Sequence, residues 1–115
     1  MKRGTREWIS KAEDDHQAAQ VLAANNLRLY DQLCFHCQQS AEKYLKAIIE
    51  ERGLSIQKTH ELELLLVPLI AHHPSLKSLR RGLIFLTNFS VNIRYPGDSA
   101  TGRHAKSALR WATQV

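Results

Sequence analysis

The chain has 115 residues, enough for one domain with a buried core, and we expect that domain to span 1–115. Hydrophobic residues make up 43% of it, while five glycines and three prolines are too few for a disordered or turn-rich β protein, so an all-α fold is favoured. Sixteen Lys and Arg against eleven Asp and Glu give a net charge of +5, which attracts phosphates but also occurs on ordinary protein surfaces.

The amino-terminal segment has a basic start without the apolar stretch of a signal peptide, and no window approaches the roughly 18 apolar residues of a membrane span. We therefore expect a cytoplasmic protein with no membrane contact. Cys34 and Cys37 fall within one predicted helix, which indicates free thiols rather than a disulfide. With His36 they suggest zinc, but no second ligand pair completes a tetrahedral site, so we predict no metal and no cofactor.

A first helix is predicted over residues 6–26, because small and apolar side chains recur at helical spacing. Asp15 falls on that same stripe, where a carboxylate is costly unless it finds a cation. We expect it to form a buried or half-buried structural contact with Lys43 or Lys46 of the second helix.

The second helix is predicted over residues 31–52, with Gly53 as the C-terminal glycine. One face is apolar: Cys34, Cys37, Ala41, Tyr44, Leu45 and Ile48. The other face is a row of polar residues: Gln38, Gln39, Glu42, Lys43, Lys46 and Glu50. Such a row usually forms a solvated surface with local ion pairs, and we predict that role here.

Three shorter helices are predicted to follow. Thr59 caps the third, and Pro68 kinks or shortens it. The fourth runs over 75–93 and ends at the Arg-Tyr-Pro-Gly-Asp segment, 94–98. The fifth begins between 99 and 102 and carries small residues on one side. The sequence therefore predicts an all-α antiparallel helical bundle of about five helices in a single domain.

The segment 34–47, which contains Glu-Lys-Tyr-Leu-Lys-Ala, resembles the signature second helix of HEPN domains. Further features follow in the order typical of that family: Trp8 and Asp15 in helix one, Thr59-His60 before helix three, and Arg94-Tyr95-Pro96 after helix four. The resemblance implies a homodimer of helical bundles. It also implies a minimal nucleotidyltransferase as partner, in a toxin–antitoxin-like pair.

Many HEPN proteins are metal-independent ribonucleases that carry an Arg and a His with four to six residues in between. This chain departs from that pattern, since Ser99, Ala100 and Thr101 stand where the His after Arg94 belongs. The nearest histidine on that side is His104, with nine residues in between. Arg94 and His104 are our candidate catalytic pair, provided that they converge across the Pro-Gly turn.

Three hypotheses follow. The first is a dimeric nucleotide- or RNA-associated module, partner of a nucleotidyltransferase, that binds its ligand through Arg94, Tyr95, Arg103 and Lys106. The second is a metal-independent ribonuclease toxin in which Arg94 holds the phosphate and His104 aids proton transfer. The third is an oligomerisation scaffold without chemistry.

Overall fold

The computed structural model describes residues 1–25, 28–90 and 99–115. These residues form five α-helices, one 3₁₀ helix and no strand. The elements are α1 (Arg3–Ala24), α2 (Tyr30–Glu51), α3 (Leu62–Ile70), a 3₁₀ helix (Pro74–Leu79), α4 (Arg80–Thr87) and α5 (Gly102–Gln114). The predicted all-α bundle is confirmed. None of the helices in these ranges is long and apolar enough to cross a membrane.

Helix α2 lies at the centre of the bundle and contacts α1, α3, α4 and α5. Its most extensive contact is with α1, which runs antiparallel to it: Thr5 bonds to Glu51, and Asp15 pairs with Lys43. The buried positions of α1 are small and seven residues apart: Thr5, Ala12 and Ala19. Small side chains at this spacing let the two helix backbones approach closely along their length.

Four of the six residues on the apolar face predicted for α2 lie in the core, whereas Tyr44 and Ile48 are half-buried. Cys34, Cys37, Ala41 and Leu45 have no exposed surface, and they pack with leucines of α3 and α4. The helix ends where the sequence predicts, at Gly53, which adopts a φ of 70°. The N–H groups of Gly53 and Leu54 donate to Glu50 and Ile49, an arrangement that satisfies the last carbonyls of the helix.

The predicted fourth helix, 75–93, is divided in the structure. Its first part is the 3₁₀ helix, and α4 proper ends at Thr87. A side chain bonds to the backbone both in the 3₁₀ helix and at the end of α4. Ser78 donates to the carbonyl of Ser75, and Asn88 donates to that of Phe85. Such local bonds compete with regular α-helical pairing. The last three positions of the prediction, 91–93, lie outside the described residues.

Candidate functional site

The polar row of α2 is not the solvated surface that the sequence predicts. Gln38 has no exposed surface and Glu42 is only 4% exposed. The segment that precedes α3 covers them, because the His60 carbonyl accepts from Gln38 and the His60 ring bonds to Glu42. The prediction was wrong because helical periodicity identifies two faces of α2 but does not show what packs against the second.

Glu42 is the centre of this buried polar cluster, which we define as Gln38, Glu42, Lys46 and His60; the His60 side chain is 65% exposed and lies at the solvent edge of the cluster. Its carboxylate accepts from Gln38 Nε2 at 3.0 Å and from Lys46 Nζ at 2.9 Å, and His60 Nδ1 lies at 3.0 Å. Burial acts to raise the pKa of Glu42, but the three hydrogen bonds outweigh it and hold the pKa below its ordinary value. Glu42 is therefore a buried carboxylate that stays ionised.

Lys46 has a second partner on α1. Its ammonium lies 5.5 Å from the centroid of the Trp8 ring, within the range of a cation–π contact. The cluster thereby ties α1, α2 and the segment before α3 together. Since every charge in it has a partner, it is suited to hold helices in place rather than to bind a ligand.

Asp15 forms the contact with Lys43, not with Lys46. Its second oxygen bonds to the ring of His36 at 2.8 Å, and its side chain is 12% exposed. The sequence left Lys43 and Lys46 as alternatives. In the structure Lys43 pairs with Asp15, whereas Lys46 pairs with Glu42. The sequence analysis considered His36 only as a possible zinc ligand and did not predict its bond to Asp15.

The second region of interest is the amino-terminal end of α5. Thr101 caps this helix: its hydroxyl accepts from the His104 N–H, and His104 Nδ1 accepts from the Thr101 N–H, each at 3.2 Å. The His104 ring also lies near Phe85 and Phe89, with centroids 6.3 and 6.0 Å apart. His104 is thus fixed in orientation, and its Nδ1 lone pair is used, which places the proton of the neutral ring on Nε2.

Exposed cations lie along α5 on both sides of His104. Arg103, Lys106 and Arg110 are all exposed, and none has an ion-pair partner within 1–25, 28–90 or 99–115. Their spacing of three and four residues puts them along one side of the helix. We call these three residues the α5 basic row. Exposed cations without carboxylate partners attract the phosphates of a nucleic acid backbone.

A groove of about 430 Å³ adjoins the α5 basic row. Its lining includes Lys106 from α5, Tyr30 from the start of α2 and Arg28 just before it. Gly102 allows the close approach of α5 to Tyr30, because a Cβ there would lie 3.3 Å from the Tyr30 hydroxyl oxygen. The start of α2 and the cation of Arg28 therefore lie beside the α5 basic row. The sequence prediction included neither Arg28 nor Tyr30.

The structure therefore brings together only part of the predicted site. Arg103, His104 and Lys106 share the first turn and a half of α5. Arg94 and Tyr95 lie outside the described residues, so their relation to His104 stays a prediction. No group of His, Cys, Asp and Glu among the residues described is arranged to hold a metal ion.

Comparisons with known proteins agree with the fold. A family model for the HEPN domain matches residues 5–115. The crystal structure of TT1696 from Thermus thermophilus superposes with a TM-score of 0.82 at 27% identity, covering 99% of this chain and 93% of that one. The crystal structure of ST0689, an archaeal HEPN homologue, superposes with a TM-score of 0.76 at 25% identity, covering 99% of this chain and 92% of that one. No curated protein matches this chain.

Proposed function

This chain belongs to the HEPN domain family, and on that premise we propose that it is a dimeric module that binds RNA or nucleotides through α5. The observation that carries the proposal is the α5 basic row, three exposed cations without carboxylate partners in the described structure, beside a groove with a further cation. A helix amino terminus adds to the attraction, since its free N–H groups and dipole favour phosphate. Arg94 and Tyr95 belong to the proposed surface on the strength of the family resemblance.

The test is salt-dependent binding to a labelled single-stranded RNA. Reversing two charges, Arg103→Glu with Lys106→Glu, is expected to weaken binding and to reduce the slope of log K against log salt by about 1 to 2. The matched control reverses Lys11 on α1 and Lys58 before α3, which are exposed, have no ion pair in the described structure and do not line the groove. Equal losses in the two variants would reduce the proposal to non-specific attraction by net charge.

The ribonuclease is the alternative proposal, and the cap of α5 gives it a specific requirement. His104 Nδ1 accepts from the Thr101 N–H, so only Nε2 is available to a phosphate. In that neutral tautomer Nε2 donates a hydrogen bond to a phosphate oxygen but cannot accept a proton. Proton transfer from His104 to the leaving oxygen starts from the imidazolium, whose Nδ1–H cannot accept from the Thr101 N–H, so the alternative proposal requires this half of the cap to open. Incubation with structured RNA in chelator decides: cleavage lost in both Arg94→Ala and His104→Ala supports this enzyme.

The dimer is proposed from the family and from the exposed surfaces of two adjoining helices. Leu64 and Val67 on α3 and Ile84 on α4 are 45%, 58% and 48% exposed. The Glu63–Arg80 ion pair joins the same two helices. Exposed apolar side chains on adjoining helices are typical of a subunit interface.

Light scattering at tens of micromolar tests the dimer. Wild type is expected at twice the mass of the chain, and Val67→Glu at the mass of a monomer. Val21→Glu is the matched control, because Val21 is 49% exposed on α1. A monomeric wild type contradicts the proposal, and a dimer that survives Val67→Glu moves the interface elsewhere.

A nucleotidyltransferase partner and a toxin–antitoxin role rest on the family resemblance alone. Co-expression with a minimal nucleotidyltransferase, followed by capture of the complex, tests the partnership. If RNA and nucleotide affinity are unchanged after the α5 reversal and no complex forms, the scaffold hypothesis is the one that remains.

A further inference from the structure

A second cavity lies at the opposite end of α2 from the α5 basic row. Its volume is about 600 Å³, within the range of small-molecule sites. Helix α1, the carboxyl-terminal half of α2 and the 3₁₀ helix form its walls. The first α2 residue that lines it, Tyr44, lies 14 positions beyond Tyr30 of the groove, which is about 20 Å along the helix.

The floor of this cavity is apolar. Ile9 from α1, Ile48 from α2 and Leu76 from the 3₁₀ helix contribute to it, and each is partly exposed rather than sealed in the core. Three apolar side chains from three elements form a concave surface that leaves part of its area in water. Covering that area with an apolar ligand body is favourable by about 25 cal/mol per Å².

Two charged groups at the edge of the cavity differ in their partners. The Glu51 carboxylate accepts from the Lys2 N–H and from the buried Thr5 hydroxyl, both at 3.0 Å, and these two bonds lower the pKa of Glu51. Arg52 has no such compensation. Its Nε and Nη2 reach only the Nε2 atom of His73, at 3.1 and 2.6 Å, and no carboxylate pairs with it in the described residues.

Arg52 consequently has donors to spare. A guanidinium has five N–H groups, and the His73 ring offers a single lone pair at Nε2. Tyr44 also lines the cavity, and its hydroxyl has no hydrogen bond within the described part of the chain. The hydroxyl is a donor at neutral pH, since the ordinary tyrosine pKa is 10, and burial, followed by the charge of Glu13, raises the pKa of Tyr44 further. The spare donors thus favour an acceptor with negative charge.

We propose that this cavity binds a small amphipathic organic anion, whose apolar body packs on Ile9, Ile48 and Leu76 and whose carboxylate, sulfonate or phosphate binds Arg52. The site is independent of the α5 basic row and of any nucleic acid bound there. Its ligand is compact, with one charged end and an apolar or aromatic remainder.

The probe for the experiment is 8-anilinonaphthalene-1-sulfonate, an aromatic anion of this type, titrated into the folded full-length chain and followed by fluorescence. One saturable site is expected. Arg52→Ala is expected to weaken binding about 10-fold or more, since a hydrogen bond to a charged group contributes about 1.5–3 kcal/mol. Arg81→Ala, an equal change at an exposed residue of α4 outside the cavity lining, is the control and leaves the affinity unchanged.

Two further arms separate the parts of the proposal. Leu76→Trp fills the floor and is expected to abolish binding, with circular dichroism confirming that the variant is folded. N-phenyl-1-naphthylamine has the same ring body without the sulfonate and is expected to bind at least 10-fold more weakly. No saturable binding to wild type, or binding that survives both Arg52→Ala and Leu76→Trp, overturns the site. Equal affinity for the neutral compound overturns its preference for anions.

Discussion

Replacing Glu42 with glutamine tests whether the buried polar cluster stabilises the fold. The substitution keeps the shape of the side chain but removes the charge that pairs with Lys46 at 2.9 Å. The side chains of Lys46 and Glu42 are only 11% and 6% exposed, so the ammonium is left without a counterion in a poorly solvated position. Breaking a buried pair in this way costs about 3–5 kcal/mol.

The structure places the expected loss at the lower end of that range. The Trp8 ring stays near Lys46 and retains about 0.5–1 kcal/mol of cation–π attraction. The glutamine oxygen can still accept from Gln38. We therefore expect Glu42→Gln to lower the free energy of unfolding by about 3 kcal/mol at pH 7.

Urea denaturation followed by circular dichroism measures this loss as a lower midpoint with an unchanged slope. The matched control is Glu7→Gln, because Glu7 also pairs with a cation four residues away, Arg3, at 3.2 Å. Those side chains, of Arg3 and Glu7, are 89% and 63% exposed, so the control should lose no more than about 0.5 kcal/mol. A Glu42→Gln loss below about 1 kcal/mol, or one equal to the control, would refute the argument from burial.

The pH dependence of the same pair supplies an independent check. The folded-state pKa of Glu42 lies below its ordinary value of 4.5, so its contribution to stability is full above 4.5. That contribution is lost as the pH falls through the folded-state pKa. The stability difference between wild type and Glu42→Gln should consequently shrink below pH 4.5, and a constant difference would contradict the assignment.

Three other predictions concern packing, reactivity and capping. A methyl group at Gly82 would overlap the Trp111 indole, so Gly82→Ala should lower the free energy of unfolding by about 1–3 kcal/mol in thermal melts. In a Trp111→Leu background the overlap is removed, and the same substitution should be harmless because alanine favours the helix. Burial, and secondarily Cys34, raises the pKa of Cys37 to about 12. A thiol reagent at about pH 8 should therefore modify Cys37 only after urea is added, and rapid labelling of the native chain would count against it. Thr101→Ala should cost about 1 kcal/mol through loss of the α5 cap, whereas Thr101→Ser should match wild type; an unchanged melt for the alanine variant argues against that cap.

Part of the candidate site could be predicted from single residues. The sequence analysis named Arg103 and Lys106 as ligand-binding cations, and both are exposed on α5. The contribution of Arg28 and Tyr30 could not be predicted, because they approach α5 only through the packing of α2 against Gly102. The cap formed by His104 is a local feature, but its histidine was interpreted chemically rather than as a helix cap.

The positions of α1, α2 and α5 were determined by the sequence itself, since periodicity and Gly53 act over a few residues. The predicted fourth helix is divided, and α3 begins after Glu61 rather than at the predicted cap, Thr59. The family was also recognisable in the sequence, from the segment around Glu42 to Ala47. Only the tertiary structure decided that Gln38 and Glu42 are buried, because His60, 18 residues beyond Glu42, covers them. Whether a polar side chain meets water or a partner depends on what the rest of the chain places opposite it, and helical periodicity carries no information on that.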